Sequence, residues 1–227
     1  MAIFDFFATK KGPENVDVKP FKDDAVNRIY NRLFCDNIQL YKLQAKKPYC
    51  YPNDILFSES SSILDLQRII EDKSSCTRLK ILAHNELRLK GCCPLVNEVH
   101  AIIIELGQES GLSLFAVFSD GTARCLNKSG RFVVWEITDQ NGMKLKQELF
   151  LKSELILKQF NQLNMPRNLA PVNGNMRITV LDSFGLHFGE EKLDEISQDQ
   201  ISWQILDSAT HLRNYLKEIS LGVSQLH

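Results

Sequence analysis

The 227-residue chain has no apolar stretch long enough to cross a membrane as a helix; runs such as Ala101 to Ile104 fall far short of the roughly 20 residues a span requires. It has no excess of one charge either. Lys and Arg total 27 against 28 for Asp and Glu, which excludes a whole-surface field that would gather nucleic acid or anionic lipid. Six cysteines, at 35, 50, 76, 92, 93 and 125, show no repeated spacing and no Cys-x-x-Cys pair, so a disulfide framework is not expected. The start lacks the charged-then-apolar pattern of a secretory signal, and Ala2 excludes myristoylation. These features point to a reducing, cytoplasmic setting.

Motifs of chemistry are missing as well. There is no Walker sequence, no Gly-x-Gly-x-x-Gly turn and no Gly-x-Ser-x-Gly elbow. Cys92, Cys93, His100 and His84 invite a zinc reading, but adjacent cysteines diverge and the usual paired spacing is absent, so no metal and no cofactor are expected. Cys125, with His100 and Glu105 in the same sheet, lies among apolar residues where a thiol packs rather than reacts. Asp182 and His187 flank one tight turn as a candidate acid-base pair without a nucleophile. Lys80, His84 and Arg88 form an i, i+4 stripe that reads as a solvated helix face.

The sequence is richest in hairpin signals. From Val99 to Ile137 four short apolar runs are separated by Gly-Gln-Glu-Ser-Gly, Asp-Gly and Ser-Gly. Helical spacing precedes them over Asp23 to Leu33, after Ser60 to Ser62, and over Cys76 to Lys90. Helix Met143 to Leu163, a hairpin around Ser183-Phe184-Gly185, and a last helix capped by Ser197 with Gln200 follow. The glycines at 107, 111, 121, 130, 174, 185 and 189 read as turn residues needing positive φ. The expected fold is α+β, a mainly antiparallel sheet of about six strands, a four-strand meander plus a later hairpin, covered by helices. Residues 1–94 would form an N-terminal helical region packing on a 95–227 sheet and helix body, with one continuous domain as the alternative.

Two-residue turns at Asp120-Gly121 and Ser129-Gly130 would set Arg124 between Val117 and Trp135, on a face shared with Phe115, Leu126 and Val133. Cys125 would then join Leu114, Ala116, Phe118, Phe132 and Val134 on the other face. A guanidinium so placed needs its stem along the Trp135 ring and an acid such as Glu105 or Glu136.

The element order resembles roadblock, longin and profilin-style regulatory modules, a likeness of order alone. Phe118-Ser-Asp-Gly-Thr-Ala-Arg124, Asn127-Lys-Ser-Gly130, Trp135-Glu136, the Met-x-Ile-Phe-Asp-Phe start and Leu181-Asp-Ser-Phe-Gly-Leu-His-Phe-Gly189 together resemble an uncharacterised bacterial protein family with no assigned function. The resemblance implies a bacterial, cytoplasmic protein and nothing catalytic. The expected function is a non-enzymatic protein-binding or regulatory module; an enzyme of unknown class is the alternative. Expected binding residues are Arg124, Trp135, the Tyr49 and Tyr51 loop, and Phe4, Phe6 and Phe7, which also offer a peripheral membrane contact. The partner expected is another protein, not nucleic acid.

Overall fold

A computed structural model describes residues 18–159, 167 and 169–224. Phe4, Phe6 and Phe7 lie outside them. Helix α1 (Asp24–Arg32) starts where Asp23 accepts the Ala25 amide at 2.6 Å. Two single turns, α2 (Gln39–Lys42) and α3 (Asn53–Leu56), interrupt the Pro- and Tyr-rich stretch. Ser62 and Asp65 close a reciprocal capping box on α4 (Ile63–Glu71). Helix α5 (Thr77–Leu89) is pinned at its first residue: the Thr77 amide donates to Asp120 at 2.9 Å and its hydroxyl meets that of Ser119 at 2.9 Å.

The strands are β1 (Val99–Gln108), β2 (Gly111–Phe118), β3 (Thr122–Leu126), β4 (Phe132–Glu136), β5 (Asn175–Asp182) and β6 (Gly185–Lys192). All neighbours pair antiparallel in the order β4-β3-β2-β1-β5-β6. Helix α6 (Gln140–Gln159) links the meander to the later hairpin, and α7 (Gln200–Ser224) ends the described chain. The protein is therefore α+β, as its hairpin and helix signals predict.

Both sheet faces are apolar because both alternate positions of the central strands are, and each face has its own cover. Ala101, Ile103, Leu112, Leu114, Ala116, Phe118 and Leu126 pack under Tyr30, Phe34, Leu66, Ile69 and Leu82 from α1 and the turn after it, α4 and α5. Ile102, Ile104, Phe115, Val117, Ala123, Ile178 and Val180 pack under Leu149, Ile205, Leu212 and Leu216 from α6 and α7. The Met143 to Leu163 spacing predicts Leu145, Leu149, Ile156, Phe160 and Leu163 on the inner face: Leu145 and Leu149 do face inward, and the side chain of Ile156, and Phe160 and Leu163, lie outside the described residues.

The expected meander register is one residue off. Three residues, Ser119 to Gly121, separate β2 from β3, with Gly121 at φ +89° and its amide donating to the Phe118 carbonyl at 3.0 Å. Val117 thus pairs with Ala123, and Arg124 with Ala116 on one side and Val134 on the other. The second turn is also longer, closed by the Asn127 amide on the Arg131 carbonyl. Since a one-residue slip exchanges faces, Cys125 joins Phe115 and Val133, and Leu126 joins Leu114 and Phe132.

Two smaller corrections have local causes. The last helix is capped by Asp199, which accepts the amides of Ile201 at 3.3 Å and Ser202 at 3.1 Å; Ser197 sits in a preceding 3-10 turn. Gly107 is not a turn residue: it lies inside β1, where a Cβ would collide with the backbone of Pro171 and Val172. Gly189, likewise, sits within β6 opposite Ile178.

Candidate functional site

Arg124 and Trp135, expected side by side, stand on opposite faces of the sheet. The Trp135 ring meets Phe115 edge-on with centroids 6.4 Å apart, and its indole N–H donates to Ser220 at 2.8 Å. Arg124 turns towards α1 and α5, only 8% exposed, with its guanidinium 5.2 Å over the Phe118 ring. Its Nη1 is buried without a hydrogen-bond partner among the described residues, and neither Glu105 nor Glu136 reaches it. The Tyr49 and Tyr51 loop is elsewhere again. Tyr49 packs edge-on against Phe57 at 5.0 Å. Tyr51 donates to Asp72 at 2.8 Å with Arg68 stacked 5.1 Å above its ring, in a shallow depression shared with Glu71. Hydrogen bonds from Ser74 above all hold Asp72 down to about 2.

Glu105 belongs to a buried polar network that spacing alone does not reveal. Wholly buried, it accepts the Tyr30 hydroxyl at 2.7 Å and lies 3.7 Å from Arg177, its cross-strand partner on β5. Arg177 also binds Glu190 at 2.6 Å and stacks on Phe188. Arg167 stacks on Phe34 at 4.4 Å and pairs with Asp36 at 2.9 Å. Burial raises the Glu105 carboxyl and Arg177 opposes it. Here the charges are paired within the chain, so the network ties α1 to the sheet.

A second cluster gathers around the β5–β6 turn. His84 is not on a solvated face: it is 7% exposed and stacks on His100, with centroids 5.0 Å apart and 29° between planes. His100 Nε2 lies 3.1 Å from the Ser183 hydroxyl, and Arg88 donates to the Ser183 carbonyl at 3.1 Å. His187 and Asp182 do pair, at 3.0 Å, while Asp182 also receives the Phe184 and Gly185 amides. A neutral imidazole beside a hydroxyl is the arrangement of a base and nucleophile. Ser183 is only 1% exposed, however, and no carboxylate among the described residues bonds the other His100 nitrogen. In this conformation the cluster stitches the turn to β1 and α5. All six cysteines are free, and among the described residues no group of three His, Cys, Asp or Glu is arranged to hold a metal.

The two sheet edges differ. Bonded pairs alternate along an antiparallel ladder, and the β3–β4 ladder is bracketed by Asn127–Arg131 at 3.1 Å and Gly121–Ile137 at 2.8 Å. Val133 and Trp135 therefore bond to β3, whereas Phe132, Val134 and Glu136 direct their N–H and C=O groups outward. Val134 is 48% exposed, Phe132, Val133 and Trp135 are half-buried, and no charge or proline interrupts them before Glu136. The outer end of β6, in contrast, carries Glu190, Glu191 and Lys192, the charges that normally blunt an edge.

The fold and these clusters define an α+β protein built on one antiparallel sheet between two helical layers. No protein-family model, curated protein or solved structure matches the chain.

Proposed function

We propose that this chain is a non-enzymatic module that binds another protein by accepting an extended segment of it along β4. The supporting observation is the outward backbone of Phe132, Val134 and Glu136, unpaired among the described residues and flanked by half-exposed apolar side chains. Three added residues would complete ladder bonds at an edge whose one charge, Glu136, stands at its very end. A second copy fits less well. In the antiparallel register that uses all three residues, Val134 meets Val134 but Glu136 falls opposite Phe132, a charge against an aromatic ring. The free thiols and the bacterial resemblance accord with action in a bacterial cytoplasm.

The test compares the wild type with Val134→Lys, a change at a half-exposed position that should alter stability by about 0.5 kcal/mol or less. Affinity purification from the native cell is expected to yield a stoichiometric partner with the wild type, and hydrogen exchange should show new protection at the amides of Phe132, Val134 and Glu136. The variant should lose both. A partner whose protection lies away from β4, or binding untouched by Val134→Lys, would overturn the proposal.

A further inference from the structure

Three arginines stand on elements that pack together on the α1, α4 and α5 side of the sheet, and none of the three forms an ion pair among the described residues. Arg124 rises from β3, Arg32 closes α1, and Arg78 lies in the first turn of α5. Two contacts fix α5 against the other two elements: Asn85 donates to the Cys35 carbonyl at 2.6 Å, and Thr77 is bonded to Asp120. The Arg32 guanidinium stacks 4.9 Å over Tyr41, whose hydroxyl donates to the Arg32 carbonyl at 2.5 Å and meets the Cys35 thiol at 3.2 Å. Arg124 is the most buried of the three, and Arg32 and Arg78 are half-exposed. Burial first, and then the neighbouring Arg78, hold the guanidiniums of Arg32 and Arg124 below their usual values.

What sets this cluster apart is the absence of compensation. The buried arginines of the Glu105 network each have a carboxylate, Asp36 for Arg167 and Glu190 for Arg177. Arg124 Nη1 and Arg32 Nε are buried with no hydrogen-bond partner among the described residues. No ion pair is formed by Arg32, Arg78 or Arg124 among the described residues, and Asp120, at the turn that leads into the strand of Arg124, is engaged by Thr77 and Thr122. A buried unpaired charge costs several kcal/mol, whereas a cation stacked on an aromatic ring recovers only about 0.5 to 2. The ring contact cannot balance the charge. An anion can: Arg32 gives its Nη1 to the Gln44 side-chain oxygen, and the N–H groups that remain on guanidiniums seated over aromatic rings can fork onto oxygens.

We propose that Arg124, Arg78 and Arg32 form a binding site for a phosphate group, with Arg124 as its innermost donor and the two half-exposed arginines at its entrance. Three positive charges favour a dianion over a single carboxylate. The chemistry is shared by inorganic phosphate and by a small organic phosphomonoester. Titration calorimetry with inorganic phosphate, phenyl phosphate and acetate separates these: tighter binding of the monoester assigns an organic ligand, and equal or tighter binding of inorganic phosphate assigns the free ion. Acetate should bind at least tenfold more weakly than either.

Arg124→Met and Arg78→Gln are each expected to weaken phosphate binding at least tenfold and to abolish the rise in melting temperature that phosphate gives the wild type. In phosphate-free buffer Arg124→Met should melt no lower than the wild type, because it removes an uncompensated charge. Arg78→Gln, at a half-exposed site, tests binding independently of folding. No binding of either phosphate at millimolar concentration, acetate binding as tightly, or phosphate binding unchanged in Arg78→Gln would overturn the proposal.

Discussion

Glu105 joins a wholly buried carboxylate to one hydrogen bond from Tyr30 and one long ionic contact with Arg177, and the balance between these decides what its replacement does. Glu105→Gln keeps an oxygen for the Tyr30 hydroxyl and leaves Arg177 its 2.6 Å bond to Glu190, so urea unfolding should show a loss of about 1 kcal/mol or less. Glu105→Ala strands the hydroxyl and opens a void, and should cost about 3 kcal/mol or more. Equal losses would mean that the charge, not the Tyr30 bond, matters. At this scale the sequence was half legible. An arginine in an otherwise apolar strand announces that something must compensate it, and Arg124 was recognisable on that ground. Its partner was not, because Glu105 instead answers Arg177, with which it pairs through the non-local contact of β1 with β5.

At the scale of elements, the positions of hairpins and helices were legible, since turn glycines and 3.6-residue spacing are local signals. Registers and caps were not. Asp-Gly accommodates a two-residue or a three-residue loop, and only the tertiary setting, here Thr77 gripping Asp120, selects the longer one. Ser197 with Gln200 has capping-box spacing, yet Asp199 two residues later offers both carboxylate oxygens to the first turn of α7. Asp199→Ala should therefore cost about 1 kcal/mol in thermal or chemical unfolding, and Ser197→Ala no more than about 0.5. A larger loss at Ser197 would restore the capping-box assignment. The β4 edge was accessible in part: its apolar run is plain in the sequence, but that it ends the sheet follows only from where β5 docks.

For the whole molecule, the layered arrangement follows from strands apolar on both faces, which a sheet with one wet side could not carry. Polar groups are buried at the seams between the layers, and the His84–His100 stack between α5 and β1 is a seam whose side chains titrate near neutrality only once the chain unfolds. Burial above all, then the neighbouring His100, hold His84 down to about 4, and burial lowers His100 too. The unfolded imidazoles bind protons near pH 6.5, so between that value and about 4 the unfolded chain takes up protons that the native chain refuses. Stability from this pair is complete above pH 6.5 and drains as pH falls, by up to about 1.4 kcal/mol per pH unit for each histidine. Glu105, raised by burial, slopes the opposite way, so the total alone does not identify the histidines. The difference between variants does. Urea midpoints measured from pH 7 to pH 5 should fall in the wild type, and His84→Gln should flatten that fall by close to one proton's worth. The comparison holds even if the variant is less stable at every pH, because the slope counts protons and the intercept does not. Identical slopes would show that His84 takes up its proton as readily in the folded protein as in the unfolded one.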